Sequence, residues 1–302
     1  MSLIVGAYPA QPTGAAQRLF FDELARVRSI RGLELPYRAA GGEAWPSGAA
    51  EAWTAVVTAI PGTMQRLGED GRFGLASNDP DGRRSALHFV AGIRSYVASL
   101  VDAGHPVEAV ELHSAPALNA SATALAESLK EVLDWDWCGS AIVIEHCDKP
   151  RRGHDPEKGF LPFSAEVEVV ESLRAQGLGN LGMLVNWGRS VIETGESRTA
   201  ADHVRQAREA GVLMGLVFSG CSPAQTEFGY PWIDAHLPAV EVDGAPASSL
   251  LNAHEIARCL AAAGQIPITG FKIGVPLDAV SAVERAGRLQ QMCDLITGIM
   301  RP

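Results

Sequence analysis

The sequence predicts an eight-stranded parallel β/α barrel, (β/α)8, on three observations. Short apolar runs rich in β-branched residues alternate eight times with longer stretches of helical period. No Gly-rich phosphate turn of the doubly wound type follows the first run, which continues as GAYPAQPTGAA. The chain has 302 residues, a length at which a barrel with loop insertions folds as one unit. No Pro/Ser-rich linker, repeat or low-complexity tract divides it, so a single domain over residues 1–302 is expected.

The first strand is Leu3 to Ala7. Helical period follows from Gln17 to Ile30, with Leu24, Val27 and Ile30 on one stripe and Gly32 as a stop signal. The second strand, Gly32 to Pro36, leads into Arg38 to Ala52, so rich in Gly, Pro and Ala that a short or broken helix is expected. Trp53 to Ile60 reads as the third strand, and the helix Ser85 to Ala103 buries Leu87, Val90, Val97, Leu100 and Val101. The fourth and fifth strands, Ala109 to His113 and Ala141 to His146, flank an Ala-rich helix over 120–133. A charged loop from Cys147 to Pro162 precedes the helix Ser164 to Gln176. The sixth strand is Gly182 to Asn186, with a helix beginning near Thr199. The seventh, Gly211 to Ser219, leads into a connection reaching Leu250, then a helix over 252–263. Ile268 to Ile273 and the long helix Asp278 to Ile299 close the series. The expected architecture is thus a barrel with long loops after strands five and seven.

Hydrophobic residues make up 47% of the chain and charged residues 20%, ample for a core. Lys and Arg number 25 against 35 Asp and Glu, a formal charge of -10, which argues against a nucleic-acid partner. No apolar stretch approaches the ~18–20 residues of a membrane span, and the N-terminus lacks the basic region of a signal peptide, so no membrane partner is expected. The cysteines at 138, 147, 221, 259 and 293 form no C-x-x-C pair. An odd, scattered set suits reduced thiols, hence a cytoplasmic location. Nothing in the sequence sets an oligomeric state.

In such barrels the site lies at the C-terminal ends of the strands. Those ends are polar here: Glu34 in LELP, His113 in VELHSAP, Glu145 and His146 in IVIEHCD, Asn186 and Arg189 in LVNWGRS, Lys272 in GFKIGVP. Ordinary exposure of strand ends is the competing reading. Glu145 directly follows an apolar run and so needs solvent or a cation. Period two turns Val143 and Glu145 inward and His146 toward the helices as a structural histidine. The same parity puts Glu111 and His113 on one face, where a carboxylate below His113 would orient it as a base. It also turns Lys272 inward between Gly270 and Gly274, as a structural ion pair with Glu145 or as a group that polarises a carbonyl. The loop around KPRRGHDPEKGF suits a lid that meets an anion, with solvated charge as the alternative. In the second loop Tyr230 and Trp232 stack on a sugar or pack the loop down, and His236 joins the candidates.

GAYP at strand one, GLELP at strand two, VELHSAP at strand four and IVIEHCD at strand five together resemble the xylose isomerase-like TIM-barrel superfamily of sugar isomerases, epimerases and related endonucleases. The resemblance spans the chain as an order of elements and looks closest to an uncharacterised bacterial branch. It implies a divalent metal held by a Glu ending strand five, an acid ending strand six, a His or Asp near strand seven and an acid ending strand eight. Only Glu145 fits. Asn186, Ser219 and Lys272 stand at the other positions, so the usual ligand set is incomplete. Either it is rebuilt from His113, Glu145, Glu227 or His236, or Lys272 serves as the cation.

The function expected on this resemblance is a sugar or sugar-acid isomerase or epimerase acting by proton transfer next to a carbonyl, with a small carbohydrate as its partner. Glu145 and His113 would be its acid/base groups and Lys272 its electrophile. Glu34, Asn186, Arg189, Trp232 and His236 would bind substrate. The alternative is a barrel without catalysis that binds a small metabolite as a sensor or partner. A metal-dependent DNA-repair endonuclease conflicts with the acidic charge and the missing ligands.

Overall fold

The structure is a computed structural model and describes residues 2–37, 44–150, 155–276 and 280–300. Eight parallel strands close into one barrel in sequence order: β1 (Leu3–Gly6), β2 (Ile30–Pro36), β3 (Thr54–Thr58), β4 (Val107–Leu112), β5 (Ala141–Glu145), β6 (Leu181–Asn186), β7 (Leu213–Phe218) and β8 (Ile268–Lys272). β1 pairs with β8, and Gly6 lies opposite Lys272 in that register.

Strand alternation makes two cores. Inside the barrel Ile4, Val56, Ala109, Ala141, Val143, Leu184, Val217 and Ile268 pack together. The alternate residues, among them Val5, Leu33, Val57, Ile144, Val185 and Phe271, pack outward against the helices. This is the fully buried, two-sided strand pattern of a parallel sheet.

The helices are α1 (Ala15–Leu24), α2 (Ile60–Glu69), α3 (Pro80–Asp102), α4 (Ala122–Leu133), α5 (Phe163–Ala175), α6 (Trp187–Thr194), α7 (Arg198–Glu209), α8 (Ala253–Ala263) and α9 (Ala282–Met300). Several boundaries differ from expectation; α3, for one, begins at Pro80, five residues before Ser85. α1 stops at Leu24, six residues earlier, and β2 begins at Ile30. The run to Ile60 is not all strand: α2 starts at Ile60, with Pro61 supplying the fixed φ of a first turn. α6 follows β6 without a loop because Asn186, the last strand residue, is also its N-cap. Among the described residues no helix lies between β2 and β3, in keeping with the breaker-rich segment there. No helix among them is long and apolar enough to cross a membrane.

Candidate functional site

Five strand ends converge inside the top of the barrel, and their centre is Lys272. Its side chain is fully buried, with Nζ donating to Glu34 Oε1 at 2.7 Å and to Glu145 Oε1 at 3.0 Å. Gly6 makes room for it, since a Cβ there would stand 2.5 Å from Lys272 Cβ and 3.2 Å from Glu34 Oε2. The ammonium is held well above the usual lysine range: burial pulls it down, but Glu145 and Glu34 outweigh that.

Glu145 has both oxygens taken. Besides Lys272, Oε1 accepts from Asn186 Nδ2 at 3.0 Å, and Oε2 lies 2.9 Å from His113 Nε2. Arg189 Nη1 stands 2.6 Å from Oε2, an ion pair too bent to count as a hydrogen bond. Burial pushes this carboxyl up, yet Arg189, Lys272 and the His113 hydrogen bond hold it well below the carboxylate range. Asn186 works at both ends of its amide, because its Oδ1 accepts from the Arg189 amide at 3.4 Å and so aims the first turn of α6 into the mouth.

Burial lowers the His113 imidazole to about 4 despite its Glu145 partner. It is therefore neutral near pH 7, donating Nε2–H to the carboxylate and leaving Nδ1 buried without a partner among the described residues. Glu111, on the same strand face, does not orient it; the carboxylate that does comes from the neighbouring strand. Glu111 is instead raised well above its usual range by burial and by the charges of Glu34 and Glu145.

Glu34 differs from Glu145. Its Oε1 takes Lys272 and a long 3.5 Å contact from Tyr8 Oη, while Oε2 accepts no hydrogen bond from the described residues. Burial raises its pKa, and the nearby Lys272 only partly opposes this. Glu34 and Tyr8 also border a cavity of 660 Å3, within the usual ~300–1,000 Å3 range of ligand pockets. Glu145 does not.

The two long loops meet over this cluster. Asp234 accepts from Lys158 Nζ at 2.7 Å and Arg189 Nε at 3.0 Å, Tyr230 Oη donates to Glu157 at 2.7 Å, and the Asp234 amide reaches Glu157 at 3.2 Å. Asp234 and Lys158 are legible in the sequence only as charges of the two long loops, and Tyr8 is not singled out there at all. The first two sit in loops 76 residues apart, and only closure joins them. His236 packs edge-on to Tyr8, its Nδ1 2.8 Å from Ser219 Oγ. Burial, with Lys272 and Arg189 nearby, lowers it to about 4. Trp232 packs against the outer core and borders neither the 660 Å3 cavity nor the 340 Å3 recess beside Glu227 and Phe228. Of the lid expected over 149–158, residues 151–154 lie outside the described residues.

His146 faces the helices, as parity requires. It bridges Glu166 on α5 at 2.6 Å and Glu193 on α6 at 2.8 Å. Burial opposes its charge, but the two carboxylates raise it to about 9. This buried imidazolium braces the outer side of the strand that carries Glu145.

The donor set does not fit a divalent cation. Two cations already hold the one matching ligand, Glu145, and the strand-eight position carries an ammonium. Among the described residues no three His, Cys, Asp or Glu side chains are grouped to hold a metal ion.

The backbone resembles that of known barrels. It aligns over all of both chains with D-psicose 3-epimerase from Clostridium cellulolyticum H10, at a TM-score of 0.58 and 13% identity. It likewise aligns over all of both chains with a xylose isomerase domain protein from Alicyclobacillus acidocaldarius, at 0.57 and 17%. At such identities the likeness is one of fold, that of the xylose isomerase-like TIM barrels. In sequence, the chain is 35% identical over 290 residues to the uncharacterized protein STM3670 of Salmonella typhimurium strain LT2, covering 89% of this chain and 88% of that one. Residues 4–288 match the model of a domain of unknown function, DUF4862. With a match of that extent and a relative of that identity, the chain belongs to the DUF4862 family.

Proposed function

We infer that the protein is an enzyme acting on a small carbohydrate, a sugar or sugar acid, as an isomerase or epimerase by proton transfer next to a carbonyl. One observation carries this reading: a buried ammonium is fixed between two carboxylates at the strand ends, and one of those carboxylates borders a cavity of ligand size. Enolisation needs a base for the carbon-bound proton and a fixed positive charge for the oxygen that becomes an alkoxide. Lys272 supplies the charge. Glu145, held well below the carboxylate range, is a poor base, and its part is to position Lys272 and Arg189. The fold similarity to an epimerase and a xylose isomerase domain protein points to the same class of substrate.

A second reading, binding without turnover, draws on the saturation of Glu145 by three hydrogen-bond donors and the Arg189 ion pair. One experiment decides between them. The purified protein is incubated in D2O with a panel of ketohexoses and hexuronates, and deuterium at the carbon next to the carbonyl is followed by NMR. Incorporation supports the enzyme; saturable binding with no incorporation anywhere in the panel supports the binder.

A further inference from the structure

The two long loops join beside the fully buried Lys272 and Glu145, and to the side a gap separates α1 from α3 among the described residues. The 660 Å3 cavity occupies that gap, between α1 and α3, with Phe21 on one wall, Tyr96 and Ser99 on the other, and Glu34 and Tyr8 at its inner end. Arg18 is the one cation among its described lining residues. It is exposed, and among the described residues its one ion pair is a 3.9 Å pairing to Asp22. Glu34 is the one carboxylate among them.

We propose that the substrate enters from the side of the barrel through this cavity as a hexuronate, its carboxylate toward Arg18, and that Glu34 is the single base of an aldose–ketose isomerisation. The proposal rests on the isomerase reading above and deepens it. Glu34 Oε2 takes the proton from carbon 2. The C–H electron pair becomes the C1–C2 double bond, and the carbonyl pair moves onto oxygen 1, whose negative charge the Lys272 ammonium stabilises. The hydroxyl proton of oxygen 2 passes to oxygen 1 as the carbonyl at carbon 2 forms, and Glu34 delivers its proton to carbon 1. Every group ends as it began, with no oxidant or reductant. One base facing one side of the substrate moves a proton between adjacent carbons, whereas inversion at a single carbon needs a second acid on the opposite face. The upward shift of the Glu34 carboxyl suits a group that must hold a proton between the two half-reactions.

The test uses D-galacturonate and D-glucuronate as probes, with binding measured by calorimetry and exchange by NMR in D2O. Glu34→Gln should cut exchange at least ~100-fold, the scale of a lost general base, while binding stays within about threefold. Ala15→Trp and Ser99→Trp fill the cavity from opposite walls and should each weaken binding at least ~10-fold. Glu227→Trp, in the recess on the other side of the mouth, should change neither. Exchange by Glu34→Gln within about threefold of wild type would overturn the assignment of the base. Unchanged binding in both plugged variants, binding lost in Glu227→Trp instead, or no binding of either uronate to wild type would overturn the cavity. Wild-type binding that the plugs abolish, without exchange, would uphold the cavity and remove the isomerase reading and the base with it.

Discussion

Lys272→Met removes a charge while keeping an apolar stem of similar length, and its cost can be worked from the site. The ammonium is fully buried and bonds two carboxylates. Glu145 retains Arg189, His113 and Asn186; among the described residues Glu34 retains only the long contact from Tyr8. The penalty therefore falls on Glu34. Stripping one partner from a buried pair costs ~3–5 kcal/mol, and that is the expected loss near pH 8. Glu34 can escape by taking up a proton. Its folded pKa then lies far above the unfolded value, so the folded state binds the extra proton and stability rises as pH falls, by about 1.4 kcal/mol per pH unit between the two pKa values. The deficit should accordingly shrink from pH 8 to pH 6. Adding Glu34→Gln, which removes the stranded charge, should recover at least ~2 kcal/mol at pH 8, a coupling expected only of contacting groups. Urea unfolding followed by tryptophan fluorescence reads all three. A wild-type midpoint for Lys272→Met at pH 8, or a double variant no more stable than the sum of the single losses, would refute the pairing.

His146 gives a pH dependence of the same sign in the wild-type protein. Its folded pKa of about 9 exceeds the ordinary histidine value of 6.5, so its contribution is complete below pH 6.5 and is lost as pH rises through 9. The loss amounts to about 3 kcal/mol, and thermal melts from pH 6 to 9.5 should flatten in His146→Gln. Gly6→Ala forces a methyl against Lys272 Cβ and should cost ~1–3 kcal/mol as overpacking; wild-type stability in urea would show that β1 has room to spare. Calorimetric titration of manganese should find no tight site in wild type, where Lys272 holds Glu145, and measurable affinity in Lys272→Glu. Tight binding by wild type would contradict the reading of the donor set.

Strand parity is the part of the site that the sequence makes legible. An apolar run followed by Glu-His fixes one residue inward and one outward, and Glu145 and His146 lie on those two sides. The glycine that makes room for Lys272 is Gly6 of the neighbouring strand, whereas Gly270 lies against Ile4 and Gly274 against Ala235 and Phe228. What the sequence hides has physical causes. α6 is capped by the final residue of β6, so no loop punctuates its start. α2 carries a short stripe at helical spacing, Ile60, Met64 and Leu67, but its first residue also ends the apolar run of β3, and that overlap hides its start. Asp234 and Lys158 are ordinary loop charges until the two loops close on each other. Glu34 is visible as a strand-end acid, but its difference from Glu145 depends on how many donors each carboxylate receives, and that is a property of the closed barrel.

Counting charges in the closed site ties these features together. Glu34, Glu145 and Asp234 stand against Lys272, Arg189 and Lys158, three negative and three positive, every one nearly out of contact with water. Two further buried carboxyls adjoin them: Glu111, raised well above its usual range by burial and by the charges of Glu34 and Glu145, and Asp148, raised by burial against the opposing charge of Lys158. A low-dielectric interior tolerates such a cluster only near neutrality, because each uncompensated charge there costs several kcal/mol. Introducing a divalent cation would leave two unmatched positive charges among groups that have no room to move apart. A substrate at Glu34 disturbs the balance less. When Glu34 takes a proton from carbon, the negative charge passes to an oxygen beside the same ammonium, and the total within the site does not change. The pairing that makes Lys272 costly to remove therefore also allows charge to shift from carboxylate to enediolate without any counterion having to enter.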